Sequence, residues 1–409
     1  MAALINKTQI QKYIYASAWM LCFSIPLPYW SARVVFFSSI IFLLWLLEGN
    51  FRNKFFQLRS QKLFIVLLVF LGYNFLSLMW TDYFRVGLET LKPYRYYLFI
   101  IPPLITSIPQ DKVPDLIFAF ILGVLVHSAL AYLGLFLNLT GPIAGKVYSP
   151  YAIYGPFTAF CALYFLNKLF QKNKLTHQRI IYLAIFAALF ILLFIKPGRS
   201  GQIGFVVSLT VLIFLYHGKS VKTIVLTTIV ILTIFMVTIN VDSTKQKYID
   251  AANDIQGVLL NENYAGQWGA RFGFLMSSIE VAKQNPLFGT GIGDSRDALQ
   301  RLYERGKNRG FYTISFYDGP HNQYLTFLTK LGLVGLFLFI TYIVMFIRLD
   351  IPDNEMRNLS ILFIIMFSFN CFADEIMFMK PYNIYFAMIS ALFINAASKG
   401  EPLPNIRSR

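Results

Sequence analysis

About a dozen predominantly apolar runs, joined by short polar connectors, fill this chain. Crossing the ~30 Å hydrocarbon layer of a bilayer takes roughly 20 apolar residues in a helix, the form that satisfies its own backbone hydrogen bonds within one segment. The runs fall at about 13–29, 33–47, 63–80, 96–109, 115–138, 152–169, 180–196, 202–217, 222–240, 322–347, 357–373 and 381–397. Of the 409 residues 56% are hydrophobic and 14% charged, more apolar surface than a soluble core of this length can hide. The expected fold is therefore all-α and polytopic, with about twelve transmembrane helices. Residues 1–240 would carry the first nine, 241–321 a large helical extramembrane loop, 322–397 the last three and 398–409 a tail. The first run lacks a small-residue cleavage site and is followed at once by a second, which reads as an uncleaved anchor.

Lysine and arginine set the orientation, since cytoplasmic connectors hold more of them. Arg52, Lys54, Arg59 and Lys62 share one connector and Lys168, Lys172, Lys174 and Arg179 another, both on one side in a twelve-span count. Lys7, Lys12, Lys219, Lys222, Lys399, Arg407 and Arg409 fall there too, so both termini are expected in the cytoplasm. The 241–321 segment then faces outward, into the periplasm of a Gram-negative cell. This signal accounts for about half of the basic residues behind the net charge of +16, and no nucleic-acid partner is expected. The remainder runs against the rule and is mostly arginine: Arg85, Lys92, Arg95, Lys196, Arg199, Arg271, Arg296, Arg301, Arg305 and Arg309 all lie in outward connectors. Arginine pairs bidentately with phosphate oxygens and keeps its charge, so the set suggests an anionic ligand at the outer face, against the plainer reading of solvated loop charges.

Three cysteines, Cys22, Cys161 and Cys371, sit in or beside apolar runs and offer neither a disulfide framework nor a CxxC metal site. With four histidines and no HExxH or clustered carboxylates, no metal is expected.

In the outward segment, periodicity predicts helices over about 244–260 and 270–284, the second stopped by Asn285-Pro286. Gly266-Gln267-Trp268-Gly269-Ala270-Arg271 opens it and places Arg271 in its first turn, where a cation opposes the helix dipole unless an external anion shares the site. Phe288-Gly289-Thr290-Gly291-Ile292-Gly293-Asp294 lacks a P-loop lysine and reads as a tight connector to a helix over about 295–305. On that helix Arg301 and Arg305 share a face, and solvated charge is the simpler account of both. Arg199, in Lys196-Pro197-Gly198-Arg199-Ser200-Gly201, opens another helix at the outer boundary, where a lipid phosphate or an anionic ligand would suit it. His321, in Tyr317-Asp318-Gly319-Pro320-His321-Asn322-Gln323-Tyr324-Leu325, stands at the mouth of an apolar helix and is the leading candidate for chemistry, its ordinary pKa being suited to a general base. Asp318 would orient the imidazole or the acceptor, or simply solvate the turn, and Asn322 is a further supporting candidate. Asp374-Glu375 would touch a sugar, pair with an arginine or remain an ordinary turn. His127, His177 and His217 are not placed for outward chemistry.

In order and spacing, Lys196-Pro-Gly-Arg199-Ser-Gly, Gly269-Ala-Arg271, Asn285-Pro-Leu-Phe-Gly-Thr-Gly-Ile-Gly293, Pro320-His321-Asn322-Gln-Tyr-Leu and Leu331-Gly-Leu-Val-Gly335 together resemble the O-antigen ligase family. The broader superfamily includes O-antigen polymerases and bacterial protein O-oligosaccharyltransferases. The resemblance implies a GT-C type, metal-independent and inverting glycosyltransferase of the bacterial inner membrane, acting on its periplasmic face. It implies as donor a glycan on undecaprenyl diphosphate and as acceptor a sugar hydroxyl of lipid A-core, with no nucleotide or redox cofactor. It maps functional arginines onto Arg199 and Arg271, as diphosphate ligands, and an essential histidine onto His321. The nearest alternative is an O-antigen polymerase using the same donor; a protein O-oligosaccharyltransferase fits less well, since such enzymes carry more outward sequence. A lipid-linked oligosaccharide flippase would string ionisable residues through its spans, whereas here the interiors are nearly free of charge apart from Lys330.

Overall fold

The computed structural model describes residues 7–28, 30–137, 151–171, 175–195, 199–239, 242–304 and 319–398. Within them the order is α1 (Lys7–Ser24), α2 (Trp30–Glu48), α3 (Phe51–Ser60), α4 (Lys62–Leu76), α5 (Phe84–Leu91), α6 (Arg95–Ser107), α7 (Val113–Phe136), α8 (Tyr151–Leu169) and α9 (Thr176–Ile195). There follow α10 (Arg199–His217), α11 (Val221–Ile239), α12 (Asp242–Asn261), α13 (Gln267–Gln284), α14 (Ser295–Glu304), α15 (Gln323–Ile347), α16 (Asn354–Asn370) and α17 (Lys380–Ala396). Each of the twelve apolar runs is helical, and so are the two periodic stretches before Asn285 and the one after Asp294. Six helical segments among the described residues are long and apolar enough to cross a membrane: Ser31–Glu48, Lys62–Trp80, Gln110–Phe136, Thr176–Ile195, Ser200–His217 and Gln323–Ile347. The other apolar runs are shorter or more polar. In α6, for instance, 13 residues with Pro102 and Pro103 inside rise only about 20 Å.

Side chains sort as a helical multi-pass membrane protein requires. Phe36, Leu43 and Leu47 on α2, Ile180, Leu183 and Ile191 on α9, and Ile224, Ile229 and Leu232 on α11 are all exposed, a belt of apolar surface that lipid would cover. Inside, α17 is enclosed almost end to end and packs on α6 and α7. Its Tyr385 and Phe386 join Phe120, Phe157, Phe160, Phe363 and Phe367 in a continuous aromatic core. One buried polar group stitches the interior: the Asn395 amide donates to the carbonyls of Leu104 (2.7 Å) and Ile108 (2.9 Å), covering acceptors that the end of α6 would leave orphaned.

The glycine-rich connector docks on a break in α15. At Gly332 the backbone turns left-handed (φ 66°), and the N–H groups of Leu333 and Val334 donate to the carbonyls of Pro286 and Leu287. In the other direction Thr290 N–H and Gly291 N–H donate to Thr329 and Lys330. A Cβ at Gly289 (φ 70°) would come within 2.5 Å of the Leu331 nitrogen, and one at Gly332 would strike the Leu287 carbonyl. The glycines thus permit backbone to approach backbone, and the amides of Thr290 and Gly291 are spent on α15. Gly332→Ala is expected to destabilise the protein by on the order of 1–3 kcal/mol from the backbone strain alone. The measurement is thermal unfolding in detergent, with Gly72→Ala, which meets nothing within 4 Å, as the control expected to change little.

Candidate functional site

The site lies where the start of α15 meets the turn between α16 and α17. Asn322 caps α15, its side-chain oxygen accepting from Tyr324 N–H (3.0 Å) and Leu325 N–H (3.1 Å). Gln323, fully buried, ties this end to the turn twice: its N–H donates to the Cys371 carbonyl (2.8 Å) and its side-chain oxygen accepts from Met377 N–H (2.7 Å). Between buried Pro320 and this cap, His321 takes a left-handed backbone (φ 45°), uncommon outside glycine and held by its neighbours' bonds.

His321 Nδ1 is 3.2 Å from Asp374 Oδ1. That hydrogen bond raises the imidazole's pKa above its ordinary value; burial works against it, while the charges of Asp374 and Glu375 add to it and Arg271 opposes it. With the Nδ1 proton directed at Asp374, the neutral ring presents Nε2 as its proton acceptor. The side chain is 45% exposed, enough to meet a substrate. One face of the ring is near Phe274 of α13 (centroids 5.8 Å). Beside it opens a cleft of about 420 Å³ whose walls are Trp268, Phe272, Leu275, Tyr324 and Phe372 and whose polar rim is Arg271, His321 and Asn322. A mostly apolar cleft edged by a guanidinium and an imidazole suits a ligand with an anionic head and a hydrophobic tail.

Arg271 lies four residues after Gln267, at the beginning of the second turn of α13. The expected first-turn position is corrected by the earlier start of the helix, and the dipole cost is correspondingly smaller because it fades beyond the first turn. Its Nη1 reaches the Phe372 carbonyl at 3.5 Å, and Asn322 Nδ2 reaches the same oxygen at 3.4 Å, so histidine, arginine and asparagine converge on one turn.

For Arg199 the backbone alone is described, as the first residue of α10. This helix runs antiparallel to α16: Ser208 meets the Leu362 carbonyl, and Gly204 sits against Met366 and Asn370. Near its start Gly201 lies against Gly155 of α8. Asp318 and Arg305 lie outside the described residues. Arg301 is paired with Asp297 on its own helix and lines a different, polar pocket of about 160 Å³ with Asp82, Asn285 and Thr290. His127 stacks on Tyr154 inside the bundle (3.7 Å) and His217 packs on Phe170; neither reaches the cleft.

Sequence reasoning missed the partner of the imidazole. It offered Asp318, three residues away, whereas Asp374 arrives from 53 residues along the chain. The signal was an Asp-Glu pair in a turn at the right end of an apolar run, indistinguishable by pattern from a solvated turn. Gln323 carried no signal at all beyond its place in the motif.

Residues 183–340, which include α10, Arg271, the glycine loop and His321, match the family model described as O-Antigen ligase. An uncharacterized protein of Haemophilus influenzae (strain ATCC 51907 / DSM 11121 / KW20 / Rd) is 30% identical over 207 residues, 50% of this chain and 50% of that protein. The chain thus spans about half the length of the curated relative it matches. Over residues 183–340, less than half of its length, the chain is similar to the O-antigen ligase family.

Proposed function

We propose that this protein is a membrane glycosyltransferase of the ligase type, moving a glycan from undecaprenyl diphosphate to a sugar hydroxyl of lipid A-core at the periplasmic face of the inner membrane. The observation that carries this reading is the His321–Asp374 couple at the edge of an apolar cleft rimmed by Arg271. The 241–321 segment faces the periplasm in this reading, within a twelve-span layout. The acceptor oxygen attacks the anomeric carbon, His321 Nε2 takes its proton, and the carbon–oxygen bond to the diphosphate breaks with its electron pair on the leaving phosphate. Arg271, with Arg199 arriving from α10, stabilises the charge that grows there. The donor is already activated, so the scheme calls for neither a nucleotide nor a redox cofactor.

The test is deletion of the gene and examination of lipopolysaccharide. Lipid A-core bearing no long chains, with undecaprenyl-linked polymer accumulating, is the expected result. Attachment of single repeat units instead would assign the protein to polymerisation with the same donor.

A further inference from the structure

The connector between α2 and α4 turns its polar side inward and its aromatic side out. It joins two segments that are each long and apolar enough to cross a membrane, Ser31–Glu48 and Lys62–Trp80, which places it at a membrane surface. Gly49 (φ 67°) and Asn50 (φ 57°) are both left-handed and bend the chain out of α2. The ten residues of α3 then rise only about 15 Å, half of the roughly 30 Å hydrocarbon layer, and cannot cross it.

The inward side of α3 is held by hydrogen bonds. Lys54 Nζ is paired with Glu48 (2.8 Å) and donates to the Trp45 carbonyl (2.8 Å), an acceptor in the last turn of α2. Glu48 in turn accepts from Gln11 of α1 (2.8 Å) and from Ser107 of α6, and Gln57 Nε2 donates to the Ile105 carbonyl (3.1 Å). These bonds fix which face of the helix looks out. At 100° per residue, Phe51, Phe55, Arg59, Arg52 and Phe56 follow one another over roughly 140° of arc, and all five are exposed. A helix in water would bury its phenylalanines and show its lysine, whereas here Lys54 is 5% exposed and Phe55 62%. The aromatic face continues the exposed Leu43 and Leu47 of α2, and Phe51 packs edge-on against Trp45 (5.6 Å).

We propose that α3 is a binding site for anionic phospholipid: Phe51, Phe55 and Phe56 enter the acyl boundary, while Arg52 and Arg59 between them hold a headgroup phosphate. Charge selects this occupant. Among the described residues neither guanidinium makes an ion pair or a hydrogen bond, and the arginine fork matches two phosphate oxygens. A second copy of the chain meeting this face about a two-fold axis would bring four such guanidinium groups together, an arrangement that like charge opposes. A lipid phosphate answers them, and its chains cover the rings. The site is separate from the cleft at His321 and holds whatever group the protein transfers.

Native mass spectrometry of the full-length protein, released from micelles holding equal parts of phosphatidylglycerol and phosphatidylcholine with matched chains, reads the selection directly. Wild type is expected to retain the anionic lipid over the zwitterionic one, and Arg52→Gln with Arg59→Gln to lose that preference by about fivefold per arginine. Arg348→Gln with Arg357→Gln is the control. It removes equal charge from the exposed connector between α15 and α16, which shows no large hydrophobic side chain, and should leave the preference intact. Phe55→Ser with Phe56→Ser should lower retention of both lipids at an unchanged ratio. A preference untouched by the α3 arginine pair, or lowered as much by the control, overturns the proposal, and so does lipid retention indifferent to the two phenylalanines. A wild-type dimer that Phe55→Ser with Phe56→Ser dissolves would give the face to a second copy and overturn it as well.

Discussion

Replacing His321 with asparagine is expected to lower glycan transfer by on the order of 10²–10⁴, the usual contribution of a positioned base. Asparagine is chosen because it accepts the left-handed backbone that position 321 requires, so the loop between Pro320 and the α15 cap survives and loss of activity cannot be ascribed to strain. Measured above the imidazole's midpoint, where the charged His321–Asp374 pair no longer contributes, thermal unfolding should accordingly stay close to wild type while transfer from a purified lipid-linked donor falls. Transfer persisting near wild-type rates would remove the histidine from the chemistry. The same residue governs the pH response. Asp374 raises the imidazole's pKa, so activity should climb with pH through a midpoint above the ordinary histidine value of about 6.5. Asp374→Asn should carry that midpoint downward. Stability follows the opposite course: the folded protein holds this proton more tightly than the unfolded chain. The pair's stabilisation is therefore full below about pH 6.5 and fades as pH rises through the higher folded value.

How much of this was legible in the residues depended on whether the relevant force was local. Apolar runs and proline stops speak within 20 residues, and the helices drawn over 13–29 through 381–397 all formed, with ends displaced by a few positions, because burial in lipid or core dictates them. The glycine connector reads as a tight turn, and its Thr290 and Gly291 amides are spent on α15. Its purpose, a bracket on the break at Gly332, needed the partner strand of backbone 40 residues on. His321 and Arg271 stand out through their ordered motifs, and the fold brings both to the rim of one cleft. Asp374 and Glu375 were visible as a pair of charges but not as partners of anything, since pairing across 53 residues is decided by how α15 and α16 pack, and no spacing rule reports that. Lys330 stands out as a charge among apolar neighbours, and only the fold shows its ammonium on the Ile292 carbonyl of the glycine connector.

Arg271→Ala is expected to cost about 10²–10³ in kcat, the size of effect seen when one preorganised donor is taken from a developing anion. The guanidinium rims the cleft opposite His321 and already leans on the Phe372 carbonyl, so it is placed before the donor arrives and loses little freedom in binding it. Charge on the diphosphate increases as the glycosidic bond breaks. The larger loss should therefore fall on kcat, with a smaller rise in KM from the charge present in the ground state. Arg271→Lys should recover only part of the activity, because an ammonium supplies the charge without the paired donors that match two phosphate oxygens. Arg301→Ala is the appropriate control: that side chain is held by Asp297 and lines the other pocket, so removing an equal charge from the same 241–321 segment should leave kcat close to wild type. Equal losses at the two positions would mean that the segment's bulk positive charge is what matters, steering an anionic donor toward the membrane face. A loss confined to position 271, unaffected by EDTA, would place the stabilising charge of the transfer step on the protein's own side chains.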